Sequence, residues 1–127
     1  MSEKSVVQKL LLKPGQKMLL LNAPEGYRGS LAQLPEGARL EVKLVQADVI
    51  QIFVTSMEEL KKKLEAVKPI LTEKTVLWIS YPKGTSKIAT DLDRDIIREY
   101  AQGAGLTGVS AFSIDEDWSA LRLRLKE

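Results

Sequence analysis

The sequence predicts an α/β fold: a three-layer, mostly parallel, doubly wound sheet of about six strands that ends in an antiparallel hairpin. Three observations predict it. Residues 18–21, 49–54 and 76–79 are short, nearly continuous apolar runs bounded by turn residues, the pattern of strands covered on both faces. Amphipathic helical stretches follow the second and third runs, as crossover connections between parallel strands require. The last two strand-like segments are separated by only Asp115-Glu116-Asp117, too short for anything but an antiparallel turn.

Taken in order, residues 5–12 form a short helix, with Val6 and Leu10 on one side and Pro14-Gly15 ending it. The run 18–21 is the first strand and stops at Asn22-Ala23-Pro24. One or two helical turns are expected over 27–34. Residues 39–45 alternate, with Leu40, Val42 and Leu44 against Glu41 and Lys43, which suits an edge strand with one wet face. Residues 48–55 do not alternate, and Val49, Ile50, Ile52, Phe53 and Val54 are β-branched or aromatic, so they read as a central strand.

Ser56 opens the clearest helix. Ser56 and Glu59 are spaced as a capping box, and Leu60, Leu64, Val67 and Leu71 fall on one face. Pro69 marks its end. Residues 75–81 form a further buried strand, followed by an open loop over 82–87. Thr90 or Asp91 is the expected cap of the next helix, whose inner face is Leu92, Ile96, Ile97, Tyr100 and Ala104. Gly105 suits the left-handed position after its end. Residues 109–114 and 118–126 make the closing hairpin, with Arg122, Arg124 and Lys126 on the wet face of its second strand.

The 127 residues are the size of one domain, 1–127, and no repeat or linker divides them. Residues 1–12 are too polar and their apolar patch too short for a secretory segment or a membrane span. With no cysteine, disulfides are excluded, and a reducing, cytoplasmic setting is expected. A net charge of +2 is too weak to argue for nucleic acid or an acidic membrane, and neither is expected as a partner. With no histidine and no cysteine, histidine-dependent triads, cysteine nucleophiles and histidine or cysteine zinc sites are excluded. Any catalysis would rest on carboxylates, lysine, tyrosine or hydroxyls.

The order of elements resembles a shortened class I S-adenosylmethionine-dependent methyltransferase, with Leu12-Lys13-Pro14-Gly15-Gln16-Lys17-Met18-Leu19-Leu20-Leu21 similar to the lead-in to such an enzyme's first strand. More specifically, the chain resembles a bacterial family of uncharacterised proteins, a domain of unknown function. That resemblance is carried by Leu21-Asn22-Ala23-Pro24-Glu25-Gly26-Tyr27, Phe53-Val54-Thr55-Ser56, Trp78-Ile79-Ser80-Tyr81-Pro82-Lys83 and Ile114-Asp115-Glu116-Asp117-Trp118-Ser119-Ala120-Leu121-Arg122. It implies no activity. The first loop departs from the methyltransferase pattern: Pro24 lacks an N–H and Glu25 adds negative charge where a glycine-rich turn is expected. The acidic residue expected to end the second strand is also missing, with Leu44-Val45-Gln46 in its place.

In open α/β sheets, ligands bind beyond the carboxyl ends of the parallel strands. That rim gathers the expected ligand-binding residues Asn22, Pro24, Ser80, Lys83, Asp115 and Trp118. Lys83 lies in a loop with Lys87, Thr85, Ser86 and Gly84, a composition that suits a phosphate or carboxylate, although polar loops are also the ordinary content of a surface. Asp115, Glu116 and Asp117 are oxygen donors for Mg²⁺, but a turn rich in aspartate reads more simply as solvated. Asp91-Leu92-Asp93-Arg94-Asp95 lacks the glycine of a calcium loop and reads as an acidic helix start. Trp78 reads as core. No catalytic residue, cofactor or metal is assigned. The leading expectation is a non-catalytic binding module for a small anionic ligand or a protein partner. A small transferase acting on a nucleotide-like substrate and a homodimeric structural role through an edge strand are the alternatives.

Overall fold

The computed structural model describes residues 5–31 and 33–126. Six strands form one sheet in the order β2-β1-β3-β4-β6-β5. β1 (Lys17–Leu21), β2 (Arg39–Glu41), β3 (Val49–Phe53) and β4 (Val76–Pro82) are mutually parallel neighbours. β5 (Leu106–Ser113) and β6 (Trp118–Leu125) form the closing hairpin, with β6 inserted antiparallel against β4 and β5 left at the edge. The predicted sheet, its central strands and its hairpin are all present.

Two helices cover each face. α1 (Val6–Lys9) and α2 (Tyr27–Ser30) lie on one side, and α3 (Met57–Val67) and α4 (Arg94–Gly103) on the other. This sandwich explains why every residue of β3 is buried. Ile50 and Ile52 pack with Leu60, Leu64 and Ile97, whereas Val49 and Phe53 pack with Leu10, Tyr27 and Trp118. A strand with both faces dry cannot alternate, which is the signature its sequence carries.

Two polar contacts fasten the α1–α2 layer. The Trp78 indole donates to the Leu10 carbonyl at 3.0 Å, satisfying an orphan acceptor at the end of α1. Beneath α2, the Tyr27 hydroxyl donates to Gln51 Oε1 and Gln51 Nε2 donates to Ser80 Oγ, each at 2.9 Å. Gln51 and Ser80 are wholly buried, so this chain is the reason a central strand tolerates an amide. Burial pushes the Tyr27 phenol up to about 12, holding it as the neutral donor the chain needs.

Several boundaries differ from expectation, for local reasons. β2 stops at Glu41, and Val42, Lys43 and Leu44 are all exposed. The alternation over 39–45 therefore marks three residues of edge ladder and an exposed loop, and the acidic residue that ends this strand is Glu41, not a gap at Leu44-Val45-Gln46. α2 covers only Tyr27–Ser30 of the expected 27–34, with Ala32 outside the described residues. The α4 cap is Asp93, whose carboxylate accepts from Ile96 N at 2.9 Å, rather than Thr90 or Asp91. Thr90 accepts from Leu92 N at 3.0 Å, and Asp91 accepts from Met57 N at 2.9 Å, capping α3 instead. On α4, Ile97 and Ala101 are buried, while Ile96 is exposed beside α3. Gly105 has the left-handed φ of +86° expected after the helix.

Removing the central member of the buried chain, by Gln51→Leu, leaves the hydroxyls of Tyr27 and Ser80 without that partner. The expected cost is about 1–3 kcal/mol, read as a lower urea midpoint at unchanged m-value. An unchanged midpoint would show that the chain contributes nothing to stability.

Candidate functional site at the carboxyl rim

The chain runs from β1 outward to β2 and then back across to β3, so the strand order reverses between β1 and β3. This reversal opens a crevice at the carboxyl ends of those strands. Here the crevice is filled by the protein itself. Asn22 follows β1 with a left-handed φ of 60°, a conformation asparagine tolerates better than most residues. Its amide donates to Phe53 O at 2.8 Å and to Glu59 Oε2 at 3.1 Å. Glu59 Oε1 accepts from Thr55 N at 2.7 Å and from the Thr55 hydroxyl at 2.8 Å.

Glu59 therefore completes only half of the capping box its spacing suggests. Ser56 Oγ accepts from Glu59 N at 3.2 Å, but the returning carboxylate takes the N–H of Thr55, one residue before the cap. The Thr55 backbone N–H is the chief reason the Glu59 carboxyl lies below the ordinary 4.5; partial burial opposes it, and the Thr55 hydroxyl, Asn22 and Lys63 reinforce it. A carboxylate held this way is a weak base.

Next to this network is a cavity of about 380 Å³ lined by Leu20, Asn22, Ala23, Pro24, Glu25, Gly26, Arg28 and Val42. The N–H groups of Ala23, Glu25 and Gly26 donate to no protein acceptor among the described residues, and the exposed Arg28 guanidinium forms no ion pair among them. Three donors and a cation thus meet one carboxylate, Glu25.

The remaining expected residues lie farther along the same rim. Lys83 follows β4, two strand spacings across from Asn22 and three residues farther along, or about 14 Å away. Its backbone N–H donates to Asp117 O at 2.8 Å, tying the loop to the hairpin turn, while its ammonium has no partner among the described residues. Asp115 Oδ1 accepts from Asp117 N and Trp118 N at 2.8 and 2.9 Å, an Asx-type closure of the turn. Ser86 Oγ donates to Asp117 Oδ1 at 2.8 Å. Trp118 is only 7% exposed and stands edge-on to Phe53 at 4.9 Å, which in turn meets Tyr27 at 4.6 Å. Trp78 is core, as expected.

The structure thus brings Asn22 and Pro24 to one cavity and places Lys83 and Asp115 on the same rim. It turns Ser80 and Trp118 into the core. Sequence reasoning missed Arg28, Glu59 and the Tyr27–Gln51–Ser80 chain. Gln51, a lone amide in an apolar strand, was the signal for the last; Arg28 carried none.

The fold family implies an S-adenosyl cofactor, and the residues here do not fit one in its usual manner. Pro24 removes a donor from the loop. Gly26 has a φ of +85°, the left-handed conformation that its turn requires. Glu41 ends β2 opposite Leu19, two residues before the end of β1, and does not line the cavity. Among the described residues no group of three acidic side chains is placed to hold a metal, and no helix is long and apolar enough to cross a membrane.

Strand order, hairpin and rim together define a methyltransferase-like Rossmann fold. Solved structures agree. A SAM-dependent methyltransferase from Aquifex aeolicus superposes with a TM-score of 0.68 at 13% identity, over 94% of this chain and 87% of that one. The complex of DhpI with SAH gives 0.65 at 9% identity, over 96% and 82%. The Bacillus subtilis tRNA methyltransferase TrmK gives 0.56 at 13%, over 99% and 68%. At these identities the likeness is one of fold alone. The chain belongs to the family described as "Protein of unknown function (DUF3052)", whose model matches residues 41–127. No curated protein matches it.

The Glu59 network predicts an acid-sensitive rim. A carboxyl whose folded pKa is lowered adds stability that is complete above 4.5 and is lost as the pH falls through the lowered value. Chemical denaturation of Glu59→Gln should show a shallower loss of stability below pH 4.5 than the parent. Parallel pH profiles would mean that the network is energetically silent.

Proposed function

We propose that the chain is a non-catalytic, methyltransferase-like binding module whose ligand is a small molecule bearing an anionic group, held in the cavity beyond β1. The carrying observation is that cavity: about 380 Å³, with the unpaired Arg28 guanidinium and the N–H groups of Ala23, Glu25 and Gly26 at its lining. Backbone donors beside a fixed cation are the usual means of holding phosphate or carboxylate. Asn22 and Pro24 shape the pocket, and Lys83 stands farther along the rim as a second cation for an elongated ligand.

Several features support the non-catalytic reading. The chain has no histidine or cysteine. Glu59, a carboxylate at the switch point, is held in its weakly basic form by three hydrogen bonds and not poised for proton transfer. Ser80 and Asp115 are occupied by the fold. The absence of cysteine suits a reducing, cytoplasmic setting. The fold relatives, among them DhpI bound to SAH, favour one alternative strongly enough to include in the test: a transferase using an S-adenosyl ligand.

The test is a thermal-shift series with inorganic phosphate, adenosine monophosphate, S-adenosylmethionine and S-adenosylhomocysteine, run on the parent and on Arg28→Ala. A native-state binder at about a hundred times its Kd adds ~2.7 kcal/mol, a rise in Tm on the order of 10 °C for a chain this size. An anionic ligand should raise the parent's Tm and leave that of Arg28→Ala nearly unmoved. A flat series, or equal shifts in both proteins, overturns the cavity as the site. Turnover of S-adenosylmethionine would overturn the non-catalytic reading.

A further inference from the structure

The edge strand β5 makes a second surface, apart from the rim. It is eight residues long, Leu-Thr-Gly-Val-Ser-Ala-Phe-Ser, with no charge and no proline, and it pairs on one side alone. Its other side presents unpaired backbone N–H and C=O groups. Monomeric proteins ordinarily guard such an edge with charges or proline on the strand itself. Here the only device on the strand is a bulge between Gly108 and Ser110, and it leaves Val109 45% exposed.

The charges lie beside the strand, and they share one sign. On the α4 side, Arg94 and Arg98 line a small cleft of about 130 Å³ with Gly108, Val109, Ser110 and Ala111. Arg98 lies along the strand, so that a Cβ on Gly108 would meet its Nε at 3.1 Å. On the opposite face, β6 places Arg122 across from Ser110 and Arg124 across from Thr107. No acidic residue occurs within β5 or β6. Arg94 reaches Asp95 only at 4.0 Å, with both side chains exposed, a contact of little energetic weight. Arg98, Arg122 and Arg124 have no ion-pair partner among the described residues, and Arg122 Nε is shielded from water without a hydrogen bond.

We propose that β5 is a docking edge for an acidic, extended peptide segment, which adds to the sheet as a seventh strand. The backbone edge supplies register and affinity, and the alternating side chains of an added strand point to both faces, where arginines stand on each. A second copy of the chain fits less well. Antiparallel pairing of β5 with itself places both α4 helices on the same side of the joined sheet and opposes two sets of Arg94 and Arg98. The carboxylates of the 115–117 turn lie beyond the far end of β5, so the acidic residues of the peptide belong opposite 107–111.

The experiment uses a fluorescein-labelled octapeptide, Val-Glu-Glu-Val repeated twice so that glutamates fall on both faces of an added strand, titrated into the full chain by fluorescence anisotropy. Binding is expected, weakening with added NaCl and weakening at least about tenfold in Arg98→Glu/Arg122→Glu. Amide shifts on adding the peptide should concentrate in residues 106–113. Two further probes need no variant. The valine–lysine peptide should bind at least about tenfold more weakly, and so should the valine–glutamate peptide N-methylated at every residue, which keeps its charge but has no N–H left on either edge. Equal affinity for the N-methylated peptide, for the lysine peptide or for an eight-nucleotide single strand overturns the proposal. So does sedimentation showing a dimer that the peptide cannot dissociate.

Discussion

The hydrogen-bonded junction of Asn22, Phe53, Thr55 and Glu59 is the constraint on which the rim depends. It joins the end of β1 to the end of β3 and the first turn of α3, 31 and 37 residues farther along the chain. It does so at the place where an open α/β sheet normally leaves room for a ligand. By filling that room, the junction shifts the available space outward, toward the loop before α2 and the start of the 42–48 segment. A left-handed asparagine and a carboxylate held by three hydrogen bonds are what this arrangement uses in place of a glycine-rich turn.

The same economy runs through the rest of the rim. Ser80 ties β4 to β3 through Gln51, Asp115 closes the hairpin, and Asp117 gathers the loop after β4. The Tyr27–Phe53–Trp118 stack lies below them and joins α2 to the sheet and the hairpin. Polar and aromatic side chains that would mark a site in another member of this fold are here part of its framework. The groups left at the cavity are the Arg28 cation, the Glu25 carboxylate and backbone donors.

Much of the fold was legible because burial writes itself into sequence. Residues 49–54 and 76–79 are apolar without alternation because layers cover both faces, and the Leu60, Leu64 and Val67 stripe shows which side of α3 is covered. The edge was harder. Residues 39–45 alternate, yet only three of them join a ladder, since alternation reports polarity and not hydrogen bonding. The α4 cap was misplaced because Thr90, Asp91 and Asp93 are all good caps, and only the packing of Leu92 fixes which one begins the helix. Site residues divided the same way: topology brought Asn22 and Lys83 to one rim, but whether Ser80 or Trp118 faces in or out depends on neighbours 29 or more residues away.

Asp91 adds a point about how the molecule is assembled. Besides the local cap Ser56, the first turn of α3 takes an acceptor from a residue 34 positions downstream, on the segment leading into α4. As the polypeptide leaves the ribosome, α3 emerges well before that carboxylate. The Met57 N–H meets that carboxylate only when β4 has been laid beside β3 and the intervening loop has closed, a closure that costs entropy. An isolated helix of 11 residues is marginal in water, so α3 holds mainly through tertiary contacts of this kind. The Asp91 contact thus ties the start of α3 to the segment leading into α4.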